Sequence, residues 1–378
     1  MKVMIVVTHL LGTGHLSRAL TLGRAFDAAG HEVLMISGGR PAPHLNAGPL
    51  GWLQLPPLAS DGVDFTRLLD DRGQEADASY LEARMVALRH ALTEFAPDIL
   101  ITELFPFGRR SLSGEFLTLL EAAQDERHRP VVLSSIRDIL APPSKPAKAE
   151  RAEEIVTRYY DAVLVHSDPQ ATRLEQSWPV SPALAAKLRY TGYVAPPPQE
   201  PHPKGLGEGE VLVSAGGGAV GGPLYRTALA AAALRPDLRW RLLVGGNDPD
   251  LLSELQAKAP ANAAVDPARP DFRQMLTRAA ASVSMCGYNT AMDLLQAGTP
   301  ALLIPFDAGK EVEQSLRATS LAALPAIEVL RNADLTAEAL AQALTRLIAE
   351  GPRRDSALKF DGATQSVAIA TQMAKARI

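Results

Sequence analysis

The sequence of 378 residues is long enough for two or three domains, and its 47% hydrophobic and 21% charged residues are ordinary for a globular protein. A net charge of −4 argues against nucleic acid as a partner, and the single cysteine, Cys286, excludes an intrachain disulfide and a cysteine-based zinc site. No apolar stretch is as long as a signal-peptide core or a membrane span. We therefore expect a cytoplasmic protein, with peripheral membrane contact left open.

Short apolar runs alternate with amphipathic segments through the first half of the chain. The runs are bounded by turn residues and predict buried parallel strands at 3–7, 33–36, 99–102, 131–134 and 163–165. The segments between them predict helices at 16–29, 80–95, 115–125 and 147–160. Residues 1–197 are therefore expected to form a doubly wound α/β domain.

A proline-rich stretch separates this half from a second one with the same rhythm. Five prolines within residues 195–205 predict a stiff linker, which we assign to 198–209. Strands follow at 211–214, 241–244, 282–285 and 301–304, and helices at 223–234, 250–257, 290–296 and 311–321. We expect a second α/β domain over 210–354 that faces the first across a cleft, with a tail, 355–378, packing back on the first domain.

A glycine-rich turn follows the first strand and opens the first helix. It reads Gly12-Thr13-Gly14-His15, and its backbone N–H groups could meet a phosphate. It is not the dinucleotide fingerprint, because Ser17 stands where a third glycine is needed. His15 is a candidate general base at this turn; the alternative is a simple helix-capping residue.

Two more segments follow first-domain strands and should face the cleft. Glu103 follows the third predicted strand and is a second candidate base or acceptor ligand. The loop after it carries Arg109, and the end of the next strand carries Arg137, both candidates to meet an anionic acceptor or a phosphate. Solvated arginines on a hydrophobic loop are the alternative.

The second domain opens with its own glycine-rich loop. Gly216, Gly217 and Gly218 follow its first strand and could cradle a phosphate with backbone amides. The loop lacks the Lys and Ser/Thr of a Walker loop, so ATP hydrolysis is not expected. A flexible turn is the alternative.

The most informative motif runs from Ser284 into a short helix. A strand ends at Gly287, and Tyr288, Asn289 and Thr290 follow, where we expect Asn/Thr capping of a helix whose N-terminus holds a diphosphate. Asp293 lies one to two turns further and could accept hydrogen bonds from ribose hydroxyls. The alternative makes Asp293 a solvated helix residue.

Residues 282–306 and 311–318 resemble the donor-binding region of GT-B glycosyltransferases, and in particular the lipid II N-acetylglucosaminyltransferase family of peptidoglycan synthesis. That family carries a His in its first glycine-rich loop, matched by His15, and a ribose-binding acid, matched by Asp293 in place of the usual Glu. Its donor-contacting Gln matches Gln314, which Glu313 precedes. The first motif also resembles the UDP-sugar hydrolase of pseudaminic acid synthesis, and residues 105–109 resemble uncharacterised predicted glycosyltransferases.

The resemblance implies a GT-B fold of two Rossmann-like domains and an inverting, metal-independent glycosyltransferase. The donor would be a nucleotide sugar, most simply a UDP-sugar, and the acceptor an unidentified small-molecule, lipid-linked or glycan hydroxyl. Hydrolysis or epimerisation of a nucleotide sugar by the same fold is the alternative. A non-catalytic nucleotide-sugar-binding protein is a further one, and it would keep the donor pocket without needing His15.

Overall fold

The computed structural model describes residues 1–43, 45–60, 67–216, 220–246, 248–308, 312–353 and 358–377. Its contacts divide the chain into two compact units. One comprises residues 1–169, 173–195 and 359–378, and the other residues 170–172 and 196–358. The proline-rich segment that we assigned to a separate linker thus clusters with the second unit.

Within the described residues, the first unit is built on a seven-stranded parallel sheet in the order β3-β2-β1-β4-β5-β6-β7. Its strands are β1 (Lys2–Val7), β2 (Glu32–Gly39), β3 (Gly51–Leu58), β4 (Ile99–Glu103), β5 (Val131–Arg137), β6 (Ala162–His166) and β7 (Leu188–Tyr190). Its helices are α1 (Gly14–Ala28), α2 (Ala78–Phe95), α3 (Ser113–Asp125), α4 (Pro146–Tyr159) and α5 (Pro182–Lys187). Strands that alternate with helices and lie parallel confirm the predicted doubly wound architecture.

The second unit repeats this plan with a six-stranded parallel sheet, counted over the described part of the chain, in the order β10-β9-β8-β11-β12-β13. Its strands are β8 (Glu210–Ser214), β9 (Arg239–Val244), β10 (Ala263–Pro267), β11 (Ala281–Ser284), β12 (Ala301–Leu303) and β13 (Ile327–Val329). The helices are α6 (Gly222–Leu234), α7 (Pro249–Lys258), α8 (Phe272–Leu276), α9 (Tyr288–Ala297), α10 (Glu313–Leu321) and α11 (Ala337–Glu350). Both sheets therefore reverse their strand order beside a central strand, which is where such folds bind ligands.

The last helix, α12 (Gly362–Lys375), belongs to the first unit. Ala370 and Ala374 are buried in the apolar cluster that α1 forms with its sheet. Helices α2, α3 and α4 cover the opposite face of the same sheet. The first sheet is thus apolar on both faces, which accounts for the continuous hydrophobic runs in its strands.

Candidate active site

The base predicted from the sequence lies in the first turn of α1. The helix begins at Gly14, directly after the loop that holds Gly12 and Thr13, so His15 is its second residue. The imidazole is 15% exposed, and its Nδ1 lies 3.0 Å from Oε1 of Glu103, the last residue of β4. The structure therefore brings together the two candidate catalytic residues, which are 88 positions apart in the sequence.

Glu103 is buried beneath this histidine. Arg18, one helical turn beyond His15, donates to Glu103 Oε1, and both side chains are 2% exposed. Ser135 Oγ, on β5, donates to the other carboxylate oxygen at 2.6 Å. The sequence predicted that Glu103 could act as a base. Because these groups enclose its carboxylate, Glu103 is poorly located to take a proton from a substrate. Its position suits it instead to orient His15. Sequence reasoning gave no role to Arg18 or Ser135.

The environment keeps His15 neutral and Glu103 ionised. Burial, reinforced by the positive charges of Arg109, Arg137 and Arg18, lowers the pKa of His15 to about 3. Burial opposes ionisation of Glu103, but Arg18, His15 and Ser135 outweigh it and lower the pKa of the carboxyl to about 2. At neutral pH the pair is therefore a neutral imidazole beside a carboxylate. If Nδ1–H donates to Glu103, then Nε2 carries the lone pair.

Arg109 lies in the loop after β4, and Arg137 is the last residue of β5, as predicted from the sequence. Both residues are half-buried. Arg109 has a left-handed backbone with φ 58°, and its Nε donates to Thr8 O at 2.6 Å. Arg137 Nε donates to Ile139 O at 3.1 Å. Both guanidinium groups are close enough to His15 to depress its pKa. A contact of either one with an acceptor or phosphate stays a prediction.

In the second unit, the motif at Gly287 forms a strand–turn–helix connection. Strand β11 ends at Ser284, and α9 begins at Tyr288 with Gly287 as its N-cap. The predicted Asn/Thr capping was wrong, because the helix begins earlier and Asn289 and Thr290 lie inside its first turn. Apart from its two chain neighbours, no atom of the described residues lies within 4 Å of the position that a Cβ on Gly287 would occupy, so a ligand could approach the backbone here.

Gln314 lies beside this turn rather than apart from it. Its Oε1 accepts the backbone N–H of Cys286 at 3.0 Å and of Phe306 at 3.1 Å, so it joins the ends of two neighbouring strands. Any contact of Gln314 with a donor would therefore use its amide NH₂. Glu313 is the first residue of α10. Arg317, for which no role was predicted, is 1% exposed and donates to Cys286 O at 3.0 Å.

The glycine-rich loop after β8 is described only in part. Gly216 has φ 75°, a left-handed conformation that favours glycine, and a Cβ there would meet no other part of the described chain within 4 Å. Gly217 and Gly218 lie outside the described residues. A phosphate contact of this loop therefore stays a prediction.

Asp293 is not solvated, since its side chain is only 15% exposed. Arg273 Nε, on α8, donates to Asp293 Oδ1 at 2.8 Å, while Arg273 Nη2 donates to the carbonyls of Pro196 and Pro197. Burial raises the pKa of Asp293 to about 6, although Arg273 opposes the rise. A cavity of about 230 Å³ beside the carboxylate is lined by Pro198, Gln199, Arg273, Thr277, Asp293, Gln296 and Ala297. No sequence motif identified Arg273 as a partner of Asp293.

The described ranges contain neither a metal-binding cluster nor a membrane-spanning helix. Among those residues, no group of three or more His, Cys, Asp or Glu side chains could hold a metal ion. Asp248 caps α7 by accepting the backbone N–H of Leu251 at 2.9 Å, so this carboxylate has a structural role. No helix in the same ranges is long and apolar enough to cross a membrane.

Comparison with known proteins gives two family matches. Residues 13–190 match the glycosyl transferase 4-like domain, and residues 231–372 match the glycosyltransferase family 28 C-terminal domain. The first match contains the glycine turn at His15, and the second contains the glycine turn at Gly287.

Similar sequences include a UDP-N-acetylglucosamine–N-acetylmuramyl-(pentapeptide) pyrophosphoryl-undecaprenol N-acetylglucosamine transferase from Rhodospirillum centenum. It is 30% identical over 210 residues, which are 53% of this chain and 52% of the relative. The transferase of the same name from Brucella anthropi is 32% identical over 149 residues, or 38% of this chain and 40% of the relative. The chain thus spans about half the length, or less, of these relatives.

Solved structures resemble the chain over nearly its whole length. Acinetobacter baumannii MurG superimposes with a TM-score of 0.63 at 16% identity, covering 99% of this chain and 98% of that one. The glycosyltransferase VinC, solved in complex with dTDP, gives a TM-score of 0.62 at 16% identity, covering 99% and 94%. The chain has the GT-B fold, and its two halves match glycosyltransferase domain families. Part of it resembles the lipid II N-acetylglucosaminyltransferase family.

For a GT-B glycosyltransferase, the two clusters described above have distinct chemistry. The first unit holds a neutral imidazole against a carboxylate, which suits proton abstraction. The second holds a helix N-terminus beside Gly287 and a buried acid further along the same helix. The family matches and the fold support sugar transfer from a nucleotide-sugar donor as the class of reaction.

Proposed function

We propose that the chain transfers a sugar from a UDP-sugar to a hydroxyl group of a lipid-linked acceptor, with inversion and without a metal ion. The observation that carries this proposal is the His15–Glu103 pair, a neutral imidazole whose Nδ1 is held 3.0 Å from a buried carboxylate. The UDP-sugar donor and the lipid-linked acceptor are suggested by the names of the partly matching transferases.

In the proposed reaction, His15 Nε2 takes the proton of the acceptor hydroxyl. The hydroxyl oxygen attacks the anomeric carbon, and the bond from that carbon to the UDP oxygen breaks with inversion. Glu103 stabilises the imidazolium that forms, because its carboxylate lies against Nδ1. The N–H groups of the first turn of α9 would stabilise the charge that develops on the diphosphate.

The undecaprenol-linked substrate in the names of the partly matching transferases is a membrane lipid. We therefore propose that the protein works at the cytoplasmic face of the membrane through peripheral contact.

A donor and acceptor screen tests the proposed function. UDP-N-acetylglucosamine and other UDP-sugars are incubated in EDTA, with and without N-acetylmuramyl-pentapeptide carried on a short polyprenyl diphosphate. We expect UDP release that depends on the acceptor, and a product of inverted anomeric configuration. Release of free sugar at the same rate without acceptor would identify a hydrolase. If magnesium or manganese were needed to restore activity, the metal-independent step would be wrong.

The proposed ribose contact of Asp293 gives a second prediction. Asp293→Ala should weaken UDP binding roughly ten- to hundredfold, because a charged acceptor bonded to ribose hydroxyls is worth about 1.5–3 kcal/mol. Calorimetry should also find 2′-deoxy-UDP weak with the wild type but similar to UDP with the variant. Because the pKa of Asp293 is raised to about 6, wild-type affinity should decline as the pH falls through about 6 and the carboxylate becomes protonated.

Gln296→Ala is the matched control for this experiment. Gln296 Nε2 donates to Pro196 O at 3.0 Å, and Gln296 Oε1 accepts from Arg273 at 2.6 Å. Like Asp293, it therefore holds Arg273, which contacts the proline-rich segment, but it carries no charge. If both variants bind UDP equally weakly, Asp293 acts by holding that segment. Equal binding of UDP and its deoxy analogue by the wild type would exclude the ribose contact.

A further inference from the structure

Behind the His15–Glu103 pair, a chain of buried polar side chains continues across the sheet. Ser135 Oγ lies 2.6 Å from Glu103 Oε2 and 2.9 Å from His166 Nε2. His166 Nδ1 lies 2.9 Å from Thr191 Oγ1. Ser135 and His166 are at most 1% exposed, so neither can touch a substrate in this structure.

We propose that Ser135 and His166 are positioning residues, which act through Glu103 to keep His15 oriented and competent as a base. This proposal rests on the proposed role of His15 in sugar transfer. It assigns a purpose to a second buried histidine that the glycine-turn motif does not include.

The sheet topology produces this chain directly. Strands β4, β5 and β6 are neighbours, and Glu103 is in register with Ser135. Ser135 is in register with Leu164, two residues before His166, so Ser135 and His166 share one face of the sheet. Thr191 comes directly after β7, the next strand. All four polar groups therefore lie at the carboxyl edge of one parallel sheet, where ligands of such folds bind.

The direction of each hydrogen bond follows from the number of protons. Ser135 has one hydroxyl proton, and the carboxylate of Glu103 is its stronger acceptor, so Ser135 donates there. Its oxygen then accepts from His166, which must be protonated on Nε2. His166 Nδ1 is then an acceptor 2.9 Å from Thr191 Oγ1, whose one hydroxyl proton can go to it, to Gly192 O at 2.8 Å or to Val165 O at 3.3 Å. This arrangement keeps Glu103 a pure acceptor, so its 3.0 Å contact with His15 favours the tautomer with the proton on Nδ1 and Nε2 as the base, although Arg18 Nη2 also lies 3.3 Å from Nδ1.

The groups around the pair come from four elements. Arg18 lies on α1 with His15, Arg109 follows β4, Arg137 ends β5 and His166 ends β6. Burial lowers the pKa of His166 to about 3, so it stays neutral while the surrounding arginines stay charged. The chain therefore needs no proton to travel along it. Its effect is to fix the position and charge of one carboxylate.

Two neighbouring serines on β5 allow a matched test. Ser135→Ala removes the hydroxyl that binds Glu103. Ser134→Ala removes an equally buried hydroxyl that faces the other side of the sheet and donates to Phe105 O at 2.8 Å. Circular dichroism and thermal unfolding first establish that both variants fold. His166→Phe removes both ring nitrogens, and His166→Gln restores a donor and an acceptor.

Turnover is followed as UDP release from UDP-N-acetylglucosamine with the short polyprenyl acceptor. We expect Ser135→Ala to lower kcat roughly tenfold with KM for the donor unchanged. The acidic limb of its pH profile should move to higher pH, because a carboxylate that loses a donor holds the imidazolium proton more tightly. His166→Phe should behave alike, and His166→Gln should recover most of kcat. A Ser135→Ala profile identical to that of Ser134→Ala would overturn the proposal.

A second readout does not need turnover. In protein labelled with ¹⁵N-histidine, the wild type should show His15 protonated on Nδ1 and His166 on Nε2. Ser135→Ala should shift the ring resonances of both histidines, and Ser134→Ala should leave them in place. If no UDP-sugar is turned over, the proposed function fails, and these spectra still decide the inference. His15 resonances that do not respond to Ser135→Ala would refute it.

Discussion

Replacing His15 with alanine is expected to lower kcat by roughly 10²–10⁴-fold while leaving UDP affinity nearly unchanged. The reason is that His15 is proposed only to take the proton from the hydroxyl group of the acceptor. The proposed UDP contacts lie in the second unit. Steady-state kinetics with the acceptor, and calorimetry with UDP, measure the two quantities separately. His128→Ala, at an exposed histidine, is the control for a general effect of histidine removal.

The pH dependence of the wild type sharpens this expectation. Because the pKa of His15 is lowered to about 3, the neutral base persists well below the usual histidine range. The acidic limb of kcat/KM should therefore lie well below pH 6.5 and should disappear in the residual rate of the variant. Full activity in His15→Ala would transfer the role of base to another residue. An acidic limb near 6.5 would contradict the buried environment of the imidazole.

Much of this architecture follows from the sequence, because buried parallel strands appear as continuous apolar runs. Strands β1, β4, β5 and β6 were predicted to within a few residues, and their carboxyl ends carry the site. The strands that the sequence missed have weaker signals. Strand β3 contains Pro56 and Pro57, and β7, β10 and β13 are edge strands that are only partly buried. Edge strands lack the hydrophobic runs that identify central ones.

The candidate site was less accessible for a different reason. His15 and Glu103 could be identified because each follows a strand, which is a local signal. Arg18 and Arg273 could not, because an isolated arginine on a helix resembles a solvated residue until its tertiary partner is known. The pairs Arg18–Glu103 and Arg273–Asp293 depend on how helices pack against strands and against each other. Helix α8, which carries Arg273, has only five residues and little periodicity to reveal which side is buried.

The largest effect on folding is expected at a second buried ion pair in the first unit. Arg84, on α2, is fully buried, and its Nε and Nη2 donate to the two carboxylate oxygens of Glu115 at 2.7 and 2.9 Å. Arg84 also donates to Gly38 O at 3.0 Å and to Pro56 O, at the ends of β2 and β3. Arg84 therefore connects α2 and α3 to β2 and β3, the two strands at one edge of the first sheet.

Glu115→Ala should lower the free energy of unfolding by about 3–5 kcal/mol, because it leaves the guanidinium of Arg84 buried without its counter-charge. Denaturant unfolding measures the loss in the transition of the unit that carries the substitution, the first unit for Glu115 and the second for Glu254. Glu254→Ala is the matched control: it breaks a similarly bidentate pair with Arg226 that is exposed to solvent, so it should change the midpoint little. The double variant Arg84→Met/Glu115→Leu should recover much of the loss, since no unpaired charge remains. The recovery should be incomplete, because the carbonyls of Gly38 and Pro56 lose their donor. If Glu115→Ala lowered the free energy of unfolding as little as Glu254→Ala, water would have to reach Arg84 in the native state. The Arg84–Glu115 pair would then not be the buried structural contact that its geometry indicates.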